Sequence, residues 1–327
     1  MEKEIYSLPL RDLIARYPVC RDFLKSYRLE ELDPDCTLPD AIEQSMPESL
    51  EELGLNSLDV ADLLLELIRG SETDAMDDLK CIEIVGGTDK NGIPEDKTIS
   101  IHAGEVISIV GPTGSGKSQL LSDIECAARR DTPSGRTVKF DGMELPDEKR
   151  FSLGNRLVAQ LTQNMNFVID ISVEDFLRMH AQSRMMGESS ELIDQCFATA
   201  NALSGEPFRR DTKVTRLSGG QARALMIADA ACISPSPILL IDEIENAGID
   251  RINAVRLLSG KDKIVLLATH DPLLALSAAK RIALCNGGIR SVLERSEKEQ
   301  EKLEQLIEMD KVQNCLREVM RRGERME

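Results

Sequence analysis

The chain has 327 residues, 42% hydrophobic and 30% charged, with 40 Lys and Arg against 57 Asp and Glu for a net charge of −17. The length exceeds one ordinary domain, and the composition is that of a chain that buries a core rather than staying disordered. The acidic balance, and an aromatic content of 3% without Trp, argue against affinity for nucleic acid or an anionic membrane surface.

The charge is uneven, since residues 1–80 carry 20 acidic and 8 basic side chains. This stretch reads as short helices. Leu10, Leu13, Ile14 and Tyr17 have helical spacing, Pro18 breaks the run, and Phe23, Leu24 and Tyr27 form the next apolar group. Asn56 or Ser57 is placed to cap a helix whose apolar face holds Val60, Leu63, Leu64, Leu67 and Ile68, with Gly70 as its expected stop. The acidic stretch 71–78 reads as a linker, leaving residues 1–75 as an acidic, all-α N-terminal domain.

From Cys81 the pattern changes to apolar runs that end in glycine turns and alternate with helical stretches, as in an α/β domain. Ile107–Val110, Ile238–Ile241 and Ile264–Ala268 are the expected central strands, and Thr137–Phe140 before Asp141-Gly142 reads as an antiparallel strand and turn. Residues 295–327 form a charged tail, helical over 295–322, with Leu303, Leu306, Ile307, Val312, Leu316, Val319 and Met320 as its apolar positions, packed on the domain or on a partner. No run approaches the ~20 apolar residues of a membrane helix, and the first residues lack the features of a signal peptide, so a cytoplasmic location is expected. The eight cysteines are scattered without a zinc-type spacing and are expected mostly as small buried side chains in a reducing compartment.

Gly111-Pro-Thr-Gly-Ser-Gly116-Lys117-Ser118 fits G-x-x-x-x-G-K-[ST] directly after an apolar strand and before a helix. Its glycines permit backbone N–H groups to converge on one anion, and the helix adds its positive end. Gly111, Thr113, Gly114, Ser115, Gly116 and Gln119 are the expected phosphate surround. Lys117 is expected at the β and γ phosphates of a nucleotide, and the Ser118 hydroxyl at Mg²⁺. A second helix N-terminus is announced by Leu217-Ser218-Gly219-Gly220-Gln221, with Ser218 opening a helix through Ala222–Ala231. The strand at 238–241 ends in Asp242 and Glu243, a carboxylate for the Mg²⁺ hydration shell and one to polarise an attacking water. His270 follows the strand 264–268, at the edge where α/β folds place ligands. His102 and His180 carry no motif and read as structural or solvent-facing.

With these motifs, residues 79–294 resemble the ATP-binding cassette (ABC) family. The resemblance implies a P-loop core with a helical signature subdomain, and two cassettes paired head to tail as a homodimer around two ATP molecules. It further implies that Glu243 is the catalytic glutamate, His270 the switch histidine at the γ-phosphate, and Asp250 part of the loop 246–250 that meets the opposite subunit. Gln163 looks like the glutamine joining core and helical subdomain, a Mg²⁺ ligand as well, with Gln160 as runner-up. The chain departs from the family in lacking any aromatic residue between Tyr27 and Phe140 to stack adenine, so that an aliphatic such as Ile93, or another chain or domain, must serve. Asp229 stands where arginine is common. Gly248 makes the 246–250 loop similar to that of the soluble ATPase subunit of the SUF iron–sulfur assembly machinery. Leu8-Pro-Leu10-Arg-Asp-Leu-Ile-Ala-Arg-Tyr17-Pro18 with Thr37–Ile42 resembles the small helical domain fused to iron–sulfur repair proteins, although Cys20 and Cys36 are sixteen apart. The expected activity is ATP hydrolysis, driving a conformational change in an unidentified protein partner. The reading preferred from the sequence is a soluble ATPase acting on a cytoplasmic protein, a metalloprotein among the candidates. The alternative is the ATP-binding subunit of a membrane transporter whose membrane chains are separately encoded.

Overall fold

A computed structural model of the protein describes residues 5–17, 19–29, 32–45, 50, 54–72, 79–147, 150, 157–162, 167–183, 190–242, 249–260, 262–323 and 325. The chain divides into two compact units, Met1–Met76 and Asp77–Glu327.

Among the described residues of the first unit, the helices α1 (Leu10–Arg16), α2 (Val19–Ser26), α3 (Leu38–Ser45) and α4 (Ser57–Glu72) surround one apolar core. Leu10, Leu13, Phe23, Leu24, Val60 and Leu64 supply it, the positions picked out by helical spacing. Pro18 and the side chains of Leu67 and Ile68 lie outside the described residues. Asn56 is the cap of α4. Its Oδ1 accepts the N–H groups of Leu58 and Asp59, each at 2.9 Å, and Asp59 accepts the Asn56 N–H in return. Ser57 instead donates its hydroxyl to Glu43. Gly70 does not stop the helix, which runs on to Glu72 into the expected linker; an interior glycine weakens a helix by only about 1 kcal/mol. The tyrosines are engaged within this unit, with Tyr17 buried, Tyr27 against Phe23 and Tyr6 bonded to Asp62.

The described residues of the second unit form two sheets. The smaller is antiparallel, in the order β2 (Thr98–His102), β1 (Cys81–Val85), β4 (Thr137–Phe140). The left-handed pair Asp141 and Gly142 (φ 47° and 80°) turns the chain after β4, and Asp141 Oδ1 accepts the N–H of Cys81 across it. The larger sheet runs β5 (Val158–Leu161), β6 (Ile238–Asp242), β7 (Ile264–Ala268), β3 (Val106–Val110), β8 (Lys280–Cys285), β9 (Gly288–Glu294), parallel except for the last strand. β7 is buried along its whole length because helices cover both faces, which is why it and its neighbours read as unbroken apolar runs. Those helices include α5 (Lys117–Glu125), α9 (Arg251–Leu258) and α10 (Pro272–Ser277). A separate helical cluster of α6 (Val173–Ser183), α7 (Ser190–Leu203) and α8 (Gly219–Cys232) has its own core around Phe176, Leu177, Cys196 and Leu225. α8 belongs to both cores. Ala224, Ile227 and Ala230 face the sheet, whereas Leu225 and Ala228 face the helical cluster.

The tail is the helix α11 (Glu297–Arg322), opened by a capping box between Ser296 and Glu299. Leu303 is buried, whereas Met309, Val312, Leu316 and Met320 are exposed. The cysteines depart from expectation, for only Cys20 and Cys196 are buried and Cys126, Cys285 and Cys315 are exposed. Burial in the helical core pushes the Cys20 thiol up to about 12, which makes it a core side chain rather than a reactive one.

The capping assignment has a direct check. Asn56→Ala should destabilise the first unit by about 1 kcal/mol in urea unfolding, with Ser57→Ala costing less. The reverse order would return the cap to Ser57.

Candidate functional site

The phosphate loop leaves the C-terminal end of β3 and enters α5 at Lys117. Its shape requires glycine at two positions. Gly116 is left-handed (φ 101°), and a Cβ there would come within 3.0 Å of Gly287; a Cβ on Gly111 would meet the Leu284 carbonyl at 2.6 Å. Lys117 is 7% exposed, and its ammonium donates to the Gly111 carbonyl at 2.9 Å, so the charge already sits over the loop. Thr113, Gly114 and Ser118 are exposed and Gln119 half-buried, while the buried Ser115 hydroxyl has no hydrogen-bond partner among the described residues. Lys90, on the turn between β1 and β2, donates to the Gly114 carbonyl at 2.8 Å, and Ile93 on the same turn is 60% exposed.

Beneath the loop lies a buried ion cluster that the sequence did not announce. Arg136 is fully buried and makes two hydrogen bonds to Glu95 (2.6 and 2.9 Å), one to Asp123 (3.0 Å) and one to the Gly287 carbonyl (2.6 Å). Asp123, on α5, also accepts from Ser134 and from the Gln119 side chain. Glu95 also accepts the N–H groups of Gly87 and Ile289. Burial pulls the guanidinium down, yet Glu95 and then Asp123 hold its pKa above the ordinary arginine value. Burial likewise pushes the Glu95 carboxyl up, but Arg136 and the backbone donors bring it below the usual range.

The strand order β6-β7-β3 sets the C-terminal ends of the three central strands side by side. Asp242 ends β6 opposite Ala268 of β7, and the exposed His270 follows β7 by two residues. The Thr269 N–H donates to the Ile109 carbonyl at 3.2 Å, tying the histidine segment to the strand that feeds the phosphate loop. Glu243 and Gln163 lie outside the described residues, as does Gly248 of the loop 246–250. The runner-up Gln160 is on β5. Asp250 is the cap of α9 and accepts the Asn253 N–H at 3.1 Å.

Ser218 caps α8 in a capping box with Gln221, leaving Ser218 and Gly219 exposed and Gly220 half-buried at a helix N-terminus. This element opens the helix α8, which is shared by the helical cluster and the sheet core. Of the other histidines, His102 lies 3.6 Å from Glu105, while His180 pairs through Nδ1 with Asp229 at 3.1 Å.

Comparison with known proteins gives three kinds of match. The profile of the family described as ABC transporter matches residues 95–246. An uncharacterised ABC transporter ATP-binding protein of Methanocaldococcus jannaschii is 49% identical over 250 residues, 76% of this chain and 95% of that protein. The macrolide export ATP-binding/permease protein MacB of Campylobacter jejuni is 30% identical over 229 residues; the match takes in 65% of this chain but only 34% of MacB. Among solved structures, a dimeric ATP-binding cassette with ADP and Pi (24% identity, TM-score 0.50) covers 65% of this chain and 98% of that one. CbiO1 of Clostridium perfringens (22%, TM-score 0.52) covers 68% and 92%. At these identities the structures speak for the fold alone.

The ion cluster fixes an acid limit. Because the Glu95 pKa is depressed on folding, its contribution is complete above the unfolded value near 4.5 and is lost as pH falls through the lower folded value. Glu95→Gln should cost about 3 kcal/mol at pH 7 and show a flatter decline in urea stability between pH 5 and 3 than the wild type. Parallel declines would remove Glu95 from the acid limb.

Proposed function

The chain belongs to the ATP-binding cassette family and is an ATP hydrolase, and we propose that it works as the ATP-binding subunit of a transporter whose membrane chains are separate polypeptides. The observation that carries this reading is the 49% identity across 95% of a relative named as a transporter ATP-binding protein. It supports the transporter over the soluble, metalloprotein-directed ATPase that the sequence alone favoured. A surface feature supports it further. Val168 and Ile169, 93% and 54% exposed, follow Phe167 at a groove of about 310 Å³ lined also by Phe176, His180, Met226 and Asp229. Contiguous exposed apolar side chains at a groove are the kind of surface that takes a partner's amphipathic helix. No helix among the described residues is long and apolar enough to cross a membrane.

Within the proposed site each group has one task. The loop amides and Lys117 hold the β and γ phosphates of ATP, and Lys117 exchanges the Gly111 carbonyl for a phosphate oxygen. Ser118, Asp242 and Gln163 are hard oxygen donors of the kind Mg²⁺ takes; Asp242 ends β6, Ser118 lies in the first turn of α5, which follows β3 through the loop, and only β7 separates those two strands. Mg²⁺ bound there supplies charge neutralisation on the phosphates. Glu243, next to Asp242, orients the attacking water, and His270 donates to the γ-phosphate from the neighbouring strand end. Ser218, Gly219, Gly220 and Gln221 of a second copy close over the nucleotide with the helix N-terminus of α8, and Asp250 lines the same seam. Loss of the γ-phosphate on hydrolysis removes the charge that holds the two copies together.

The test uses the full chain with Glu243→Gln, which should keep ATP binding while slowing turnover by about 100-fold or more. That ATP-trapped protein, mixed with detergent-solubilised membranes from the same cells, should retain a stoichiometric integral membrane protein. Val168→Asp in the same background should release it. Retention of a soluble partner alone would overturn the transporter reading, and undiminished turnover in Glu243→Gln would remove that residue from hydrolysis.

A further inference from the structure

Arg251 opens α9 one residue after Asp250, and its guanidinium reaches two carboxylates on two other elements. Nη1 donates to Asp271, which caps α10, and Nη2 donates to Asp310, midway along α11. All three side chains are mostly buried, at 15%, 16% and 18% exposed, so solvent and salt screen the cluster little. The Asp271 Oδ1 accepts the N–H of Leu273 at 2.7 Å, while its own N–H donates to the Thr269 hydroxyl at 3.0 Å. His270 therefore sits between two residues whose positions are fixed, one by β3 and one by Arg251. Asp310 is held in turn by the Asn314 amide at 3.1 Å. A single planar fork thus joins the segment after β6, the segment after β7 and the C-terminal helix.

We propose that Arg251 and Asp310 are positioning residues for hydrolysis, through which the C-terminal helix α11 sets the placement of His270 and Asp250 and hence the turnover rate. The inference rests on His270 acting in hydrolysis. A guanidinium shared between two carboxylates holds both in one plane, and removing one lets the other swing. When α11 shifts, Asp310 leaves and Arg251 follows Asp271 alone, so the spacing between the two loops is no longer fixed from outside. Misplacement of a reacting group by about 1 Å costs up to about 100-fold in rate without requiring loss of substrate binding. The helix is placed to act as such an arm, because beyond Ile307 its apolar side chains Met309, Val312, Leu316 and Met320 are exposed.

Steady-state ATP hydrolysis by the full-length protein tests this with Asp310→Asn, Asp310→Glu, Arg251→Gln, the double variant Arg251→Gln/Asp310→Asn, and His270→Ala. Asp310→Asn leaves the Arg251–Asp271 pair in place and so keeps the fold. It should lower kcat about 10-fold with KM for ATP within about twofold, and Asp310→Glu should recover part of the loss. The double variant should be no slower than Arg251→Gln alone, since both remove one coupling. An unchanged kcat in Asp310→Asn while His270→Ala is inactive would overturn the proposal, as would losses that simply multiply in the double variant. Undiminished turnover in His270→Ala is a different failure, that of the site reading itself, and it would take this inference with it.

Discussion

The nucleotide end of the protein depends on one buried guanidinium. Arg136 carries no solvent exposure, and the partners of its guanidinium come from three places distant in sequence: Glu95 before β2, Asp123 on α5 and Gly287 in the β8–β9 turn. A charge in that position costs several kcal/mol unless its donors are met, and here two carboxylates and a carbonyl meet them. The consequence is geometric. Gly287 packs against Gly116, the Gly287 N–H donates to the Ser115 carbonyl at 2.8 Å, and Asp123 lies on the helix that the phosphate loop opens. The loop is therefore gripped from below before any phosphate arrives, which is the condition for an anion cradle that need not be ordered on binding.

The parallel sheet does the rest of the positioning. Because β6, β7 and β3 are neighbours although far apart in sequence, three short segments, after Val110, at Asp242 and after Ala268, come together at one edge. Within this unit the Arg251 fork ties the segment after β7 to α9 and α11, and α8 shares its two faces between the sheet core and the helical cluster. The helical cluster and the sheet are therefore packed on one shared helix, α8.

Much of this was legible in the sequence because it is local. The glycine pattern from Gly111 to Gly116 states its own backbone conformation, apolar runs such as 264–268 state burial on both faces, and Ser218 with Gln221 states a capping box. The long-range ion clusters were not legible. Arg136 precedes an ordinary strand and nothing in its neighbourhood marks it as buried; its partners are 41, 13 and 151 residues away. Arg251 likewise meets Asp310 across 59 residues. Cysteine burial was misjudged for the reverse reason, since a small residue fits a surface as well as a core and its spacing carries no period. The groove at Phe167 was not legible either, because nothing in the apolar run 167–169 marks Val168 and Ile169 as exposed.

The Arg136 cluster shapes the phosphate site rather than merely stabilising the domain. Calorimetric titration of ATP and of adenosine into the wild type and Arg136→Lys tests it most directly, because lysine keeps the charge but cannot reach Glu95, Asp123 and the Gly287 carbonyl with one planar fork. Arg136→Lys should fold and bind ATP about 10-fold more weakly or worse, with adenosine affinity unchanged. Equal ATP affinity in a variant that is only less stable would contradict it.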